Sequence, residues 1–358
     1  MKRELPCNLN AHPSVFVLDG RYQIITPFAC SAIVWVKVGD KTYYDDSNGI
    51  IKSNLYVHKV EVPMDELDSA REYTLCYRKM IERTPYFPVS EDTVELKYTF
   101  KPVGDGDIHV YHISDAHNME EPTIEAGKYF GDSLDLLILN GDIPDHSGDT
   151  ANFNSIYRIC SGITEGTLPI VFSKGNHDTR GIYGEEFERY TPEDNGRPYY
   201  TFRLGKLWGL VLDCGEDKDD SHDAYSHTTC FHNYRLKETQ WLENVIKKGE
   251  YKADGIEHRL VISHVPFSYI QKPPFDIEQE LYRHWTELVS KEIRPDLLLY
   301  GHLHVCKIEE PGSDFDAYKL QTCPAVVASQ PNHKEQTFTG CAITLGEGKP
   351  EIVFNKNK

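Results

Sequence analysis

Between residues 107 and 345 short apolar runs recur, and they limit the possible folds more than any other feature of the sequence. "IHVYHIS", "LDLLILNG", "LPIVFSKG", "LWGLVLD", "HRLVISH" and "PDLLLYGH" follow one another, with helix-like stretches between several of them. An unbroken apolar run of this length is the pattern of a strand buried on both faces. Such strands alternating with helices predict an α/β layer. The clearest helix is "NYRLKETQWLENVIKKG", where Leu236, Trp241, Leu242, Val245 and Ile246 fall near helical spacing and Gly249 is the stop.

How these runs end is more informative still. "YHISDAH" finishes in Asp115 and His117, "LILNGD" in Gly141 and Asp142, and "VFSKGNHD" in Gly175, Asn176, His177 and Asp178. "LVISH" finishes in His264, and "LLLYGHLH" in Gly301, His302 and His304. In α/β sheets the C-terminal strand edge is where sites assemble, because the loops leaving it converge over one crevice. Strand alternation predicts that His302 and His304 face the same side. Taken singly, a Gly-Asp after a strand is a turn and His264 is a core histidine. Five such endings in one series are not explained by five turns. Carboxylates, imidazoles and an amide oxygen without thiolate suit Mn, Fe or Zn. The set is too large for one tetrahedral ion and fits two metals sharing a carboxylate. Such a pair can bind phosphate, acidify a water and stabilise in-line attack. Glycine before Asp142, Asn176 and His302 gives the backbone room to approach a crowded centre.

Residues 14 to about 103 read differently. "SVFVLDG", "YQIITPF", "SAIVWVKVG", "LYVHKVEVP", "YTLCYRKM" and "VELKYTFKPV" are β-branched or aromatic runs broken by Gly, Asp, Asn and Pro, spacing that predicts an all-β sandwich. Leu67 followed by Tyr73 resembles the tyrosine corner of fibronectin type III-like domains, in which the hydroxyl bonds back to the upstream backbone. "KPVGDGD", 101 to 107, reads as a linker. The expected division is a β-sandwich over 1–103 and a second domain over 104–358.

Composition narrows the function. The formal net charge of −18 argues against a surface built for a nucleic-acid polymer or an anionic membrane, which would need excess Lys and Arg. No segment approaches the roughly 18 apolar residues of a membrane span. "MKRELPCNLNAHPS" lacks the apolar core of a secretory signal. Nine scattered cysteines with no C-x-x-C pair predict reduced thiols and a cytoplasmic protein.

The ordered set D-x-H, GD, GNHD, H and GHxH resembles the calcineurin-like metallophosphoesterase superfamily over residues 107 to about 345. The resemblance implies a four-layer αββα sandwich and a dinuclear centre. By it Asp115, His117 and His304 would hold one metal, and Asn176, His264 and His302 the other, with Asp142 bridging. His177 would act on the phosphoryl group or leaving oxygen, Asp178 would orient it, and a metal-bridging hydroxide would be the nucleophile. A β-sandwich followed by this domain is similar to purple acid phosphatases. Their iron-binding tyrosine, however, would fall at position 145, which is Asp here, and His117 is a residue they lack.

The expected activity is metal-dependent hydrolysis of a small phosphomonoester or phosphodiester, with a cyclic-nucleotide phosphodiesterase or nuclease as the second reading. A non-catalytic scaffold would have lost ligands, and none is missing. A single-zinc amidohydrolase would place its His-x-His first, whereas here it comes last. Candidates for substrate contact are Asn118, Asp145, His146, Arg180, Tyr183 and the polar segment 215–234. Arg180 either grips phosphate or pairs with Glu185 or Glu186. His222, His227 and His232 fit no zinc spacing and read as a solvated acidic loop. The N-terminal unit names no protein partner.

Overall fold

A computed structural model describes residues 4–357. Parallel strands Ile108–Ile113, Leu136–Asn140 and Pro169–Ser173 form the middle of a 13-stranded sheet. A second, six-stranded sheet is built around Leu207–Leu212, His258–Ser263, Leu297–Tyr300 and Ala325–Val327, also parallel to one another. The pleat then sorts the side chains. Val110, Ile138, Val171, Leu260, Ile262, Leu297 and Leu299 share one apolar cluster drawn from both sheets. Tyr111, Leu137 and Leu139 point the other way, into a cluster with Ile156, Ile159 and Cys160 of the helix Asn154–Thr164. Leu298, Tyr300 and Val261 pack against Leu242 of helix Phe231–Lys248 and Trp285 of helix Gln279–Leu288. Helix, sheet, sheet, helix is the α/β arrangement expected. The continuous apolar runs arise because the apolar residues on both faces of these strands meet one cluster or another, at roughly 1.5–3 kcal/mol per fully buried side chain.

The N-terminal unit is β-rich, as expected, and it is joined to the rest of the chain by hydrogen-bonded strands. Ser14–Leu18 lies in the large sheet, parallel to Pro169–Ser173 in the register Val15↔Pro169 and Phe16↔Ile170. On its other side it pairs antiparallel with the 18-residue strand Arg21–Val38. That long strand then pairs with Leu55–Pro63 and Glu72–Glu82. One hydrogen-bonded sheet therefore runs through the boundary expected at 103/104. The cause is visible in "SVFVL": all five residues are buried, the signature of an interior parallel strand and not of a half-wet edge.

The tyrosine-corner expectation is corrected by the same seam. Tyr73 is buried and stacks on Tyr98, but its hydroxyl donates to the Gly166 carbonyl at 2.8 Å, 93 residues downstream. It ties the β unit to the loop after helix Asn154–Thr164. The 101–107 linker is tied down as well: Lys101 N donates to Thr167 O at 2.8 Å, and its ammonium lies 2.8 Å from Asp135. A cavity of about 1450 Å³ lies along this junction, lined by Tyr43, Tyr56, Tyr157 and Lys59 among others. Lys59 there already donates to the Glu188 and Thr191 carbonyls.

The helix expected from "NYRLKETQWLENVIKKG" starts at Phe231 and ends at Gly249, whose φ of +70° closes it with an N–H to Val245 O. Leu236 is an exception to the apolar face, being 42% exposed. Arg235 and Glu238 are buried in its stead. No helix among the described residues is long and apolar enough to cross a membrane, and all nine cysteines are free.

Replacing Tyr73 by Phe leaves the Gly166 carbonyl without this donor inside the seam. Urea unfolding should report a stability loss of about 1–3 kcal/mol. A loss within error of zero would mean that the bond does not join the two units energetically.

Candidate metal centre

The strand ends converge as their order in the sequence implied. Asp115 and His117 follow Ile108–Ile113, Asp142 follows Leu136–Asn140, and Asn176 follows Pro169–Ser173, all at one edge of the large sheet. His264, His302 and His304 leave the second sheet at the edge that faces it. Three groups of ligand-type atoms result, each with its members within 4.8 Å of one another: Asp115, His117 and His304; Asp142, His264 and His302; and His117, Asp142 and His177. His304 Nε2 lies 3.3 Å from Asp115 Oδ1 and 3.1 Å from His117 Nε2. His264 Nε2 is 3.1 Å from Asp142 Oδ2 and 3.8 Å from Asp115 Oδ1. The Asn176 side-chain amide lies 3.0 Å from His302 Nδ1 and 2.9 Å from Arg180 Nη2.

The backbone bends sharply to achieve this. Asp115, His117, Asn118, Asp142, His302 and His304 all have φ between +43° and +68°, the left-handed region that non-glycine residues rarely enter. The expected strand alternation of His302 and His304 is corrected here. The strand stops at Tyr300, and two left-handed residues, not a pleat, bring both imidazoles to the centre. The glycines are needed for contact as well as for turning. A Cβ on Gly175 would sit 2.2 Å from Asp142 Oδ1, and one on Gly301 would sit 2.6 Å from Ser114 Oγ and 2.8 Å from His264 Nδ1.

Electrostatics mark the site as a cation trap. Burial opposes charge on His264, yet Asp142 and Asp115 outweigh it and raise the imidazole to about 10. Burial, reinforced by His264, lowers His302 to about 4. Burial also resists ionisation of Asp142, but His264, His177 and His117 hold it well below the usual carboxylate range. The His117 and His304 Nε2 atoms, 3.1 Å apart, need a proton or a cation between them. An oxygen and imidazole donor set without sulfur fits Mn, Fe or Zn.

Some expected roles change in position. Asp178 does not reach the His177 ring. Its buried carboxylate accepts from Gly175 N at 2.7 Å and Asp142 N at 3.2 Å, fixing the two loops that carry Asn176 and Asp142. Burial and neighbouring Asp142 push its pKa to about 8. The group that orients His177 is the Asp145 carbonyl, 2.8 Å from Nδ1. His177 Nε2 faces Arg180 Nη1 at 2.9 Å, and a nitrogen accepting from a guanidinium is not free to face a cation.

Arg180 pairs with neither Glu185 nor Glu186. Its Nε and Nη2 meet Glu216 Oε1 and Oε2 at 2.9 and 3.0 Å. Asp145 lies on the rim, 55% exposed, 3.4 Å from His117 Nδ1. Asn118 and His146 both contact Asn152 beside it. Tyr183 packs into the apolar cluster beneath.

The segment 215–234 divides in two. Gly215 to Asp217 is buried against the site, with Asp217 Oδ2 3.9 Å from His302 Nε2. The three histidines stay apart, as the loop reading expected: His222 Nδ1 accepts from Ala224 N, His227 is exposed, and His232, already helical, pairs with Glu278. Sequence reasoning missed Glu216, Asp217 and His333, whose ring centroid lies 6.3 Å from that of His117. Acidic residues in an acidic loop and a histidine in a polar turn carry no signal of their own.

Two solved structures share the fold. A purple acid phosphatase from yellow lupin (Lupinus luteus) seeds superposes with a TM-score of 0.60 at 12% identity, over 98% of this chain and 72% of that one. PhoD superposes with a TM-score of 0.56 at 11% identity, over 98% of this chain and 90% of that one. No curated protein matches in sequence. Residues 108–306, more than half of the 358, match the family described as calcineurin-like phosphoesterase. The match begins at the first strand of the large sheet's parallel core and runs just past His304, and the chain belongs to that family of metal-dependent phosphoesterases.

Proposed function

We propose that the chain hydrolyses a small phosphomonoester or phosphodiester at a dinuclear centre. The observation that carries this reading is that His264 Nε2 lies 3.1 Å from Asp142 and 3.8 Å from Asp115, which joins the Asp115, His117 and His304 group to the Asp142, His264 and His302 group in one site. Asp115, His117 and His304 would hold one ion. Asn176, His264 and His302 would hold the other, and Asp142 both. When bound, Mn, Fe or Zn supplies Lewis-acid activation of water and neutralises charge on the phosphoryl oxygens.

The protein's own part is positioning. Asp178 locks the Gly175 and Asp142 loops, and His264 is aimed by its Nδ1 bond to the Asn140 carbonyl at 2.7 Å. His177, fixed through Nδ1, lies beside the ligand groups; once a substrate oxygen displaces its Nε2 contact with Arg180 and Nε2 carries a proton, it can contact the phosphoryl group or protonate the leaving oxygen. The Asp145 carboxylate and the overall charge of −18 would repel a polyanion at the rim, which supports a small substrate over a polynucleotide. A cytoplasmic location remains part of this proposal and rests on cysteine usage.

Metal content measured together with turnover of monoesters, bis-esters and cyclic nucleotides tests the reading. Strong chelators should abolish turnover and Mn²⁺ restore it; activity that survives complete metal removal would sink the proposal. Asp142→Asn should lower kcat by at least about 10³-fold, because one substitution weakens both ion sites. Near-normal turnover in that variant would contradict a shared carboxylate. His177→Gln should cut kcat about 10²–10⁴-fold with metal content intact, and metal loss would make it a ligand instead.

A further inference from the structure

Glu216 falls in no motif, yet it is fully buried at the edge of the centre. Four groups hold its carboxylate or its carbonyl. Arg180 binds the carboxylate through two nitrogens, Thr179 Oγ1 donates at 2.9 Å, and the Tyr225 hydroxyl donates at 2.9 Å. Arg235, itself buried in its helix, donates to the Glu216 carbonyl. A carboxylate this constrained fixes the guanidinium plane, because two parallel N–H···O bonds leave Arg180 a single orientation.

In that orientation the remaining nitrogen, Nη1, sits 2.9 Å from His177 Nε2. The Arg180 side chain is still 33% exposed, so the guanidinium is not sealed in. An oxyanion that takes the place of this contact and meets a protonated His177 Nε2 would also come within reach of Arg180 Nη1. Asp217, next in the chain, stands 3.5 Å from Arg180 and 3.9 Å from His302, so the same short loop touches both the cation and a ligand imidazole.

We propose that Glu216 is a positioning residue that holds Arg180 against His177, so that the two side chains together receive one phosphoryl oxygen. This rests on the reading that a phosphoester binds at the centre. Glu216 itself touches no substrate and acts through Arg180. The specificity is geometric: Lys at position 180 would keep the charge but lose the two-point hold.

The test compares wild type, Glu216→Gln, Arg180→Lys and the double variant, all Mn²⁺-loaded, with Glu186→Gln as a surface control. Calorimetric binding of inorganic phosphate is read beside metal content, melting temperature and steady-state kinetics on bis(4-nitrophenyl) phosphate. Glu216→Gln should weaken phosphate binding and kcat/KM on the order of ten-fold at unchanged metal content. The double variant should be no worse than Arg180→Lys alone, since both remove one device. Wild-type phosphate affinity in Glu216→Gln overturns the proposal, as does a double variant showing the product of the two single effects. A melting-temperature drop with unchanged phosphate affinity assigns Glu216 a structural role only, which also overturns it. If Glu216→Gln does not fold, Glu216→Asp makes the same comparison with the charge kept and drawn back by one methylene. A wild-type protein that binds phosphate but turns over no ester refutes the proposed function, while the phosphate titration still decides the role of Glu216.

Discussion

His264 joins the two sheets at the point where the chemistry sits. Its Nδ1 donates to the Asn140 carbonyl at the end of one sheet, and its Nε2 meets Asp142 two residues further along. Asn140 returns the connection, its side-chain amide donating to Ser263 O and Leu299 O of the other sheet at 3.2 Å each. These groups are buried, and satisfied polar networks in low dielectric are stiff as well as strong. The apolar cluster between the sheets supplies area but no register. The Asn140–His264 bonds set which strand end faces which, and so set the ligand geometry. Gly141 and Gly301 belong to the same constraint, since a Cβ on either would collide with the His264 ring.

That geometry carries a backbone cost. Six residues at the centre hold left-handed φ values, at about 1–3 kcal/mol each in typical cases. Strain of this size persists only where the surroundings over-determine it. Here three apolar clusters and the buried Asp178 bonds do so. The loops can be tight because the strands beneath them are buried on both faces. The N-terminal unit contributes to this support, since Ser14–Leu18 is an interior strand of the large sheet and Tyr73 reaches across to Gly166.

Much of the fold and most of the centre were legible along the chain. Buried parallel strands leave unbroken apolar runs, and ligand-type residues at their ends recur in order, so the sequence points to Asp115, His117, Asp142, Asn176, His264, His302 and His304, which the structure brings together. What could not be read was partnership. Sequence spacing reports near neighbours and so suggests a local corner for Tyr73, whereas its acceptor is 93 residues away. For the same reason spacing offers Arg180 only Glu185 and Glu186, whereas its partner is Glu216, 36 residues on.

The sequence by itself determined the strand endings, the donor chemistry and the family, because burial periodicity and ligand type are properties of residues in order. The tertiary structure alone decided three things: that His302 and His304 converge through left-handed turns, that the Asp145 carbonyl and not Asp178 orients His177, and that a buried Glu216 holds Arg180 beside it. Each depends on which groups meet across the two sheets. Contacts between distant segments are fixed by packing and by the need to satisfy buried polar atoms, and neither is written in local spacing.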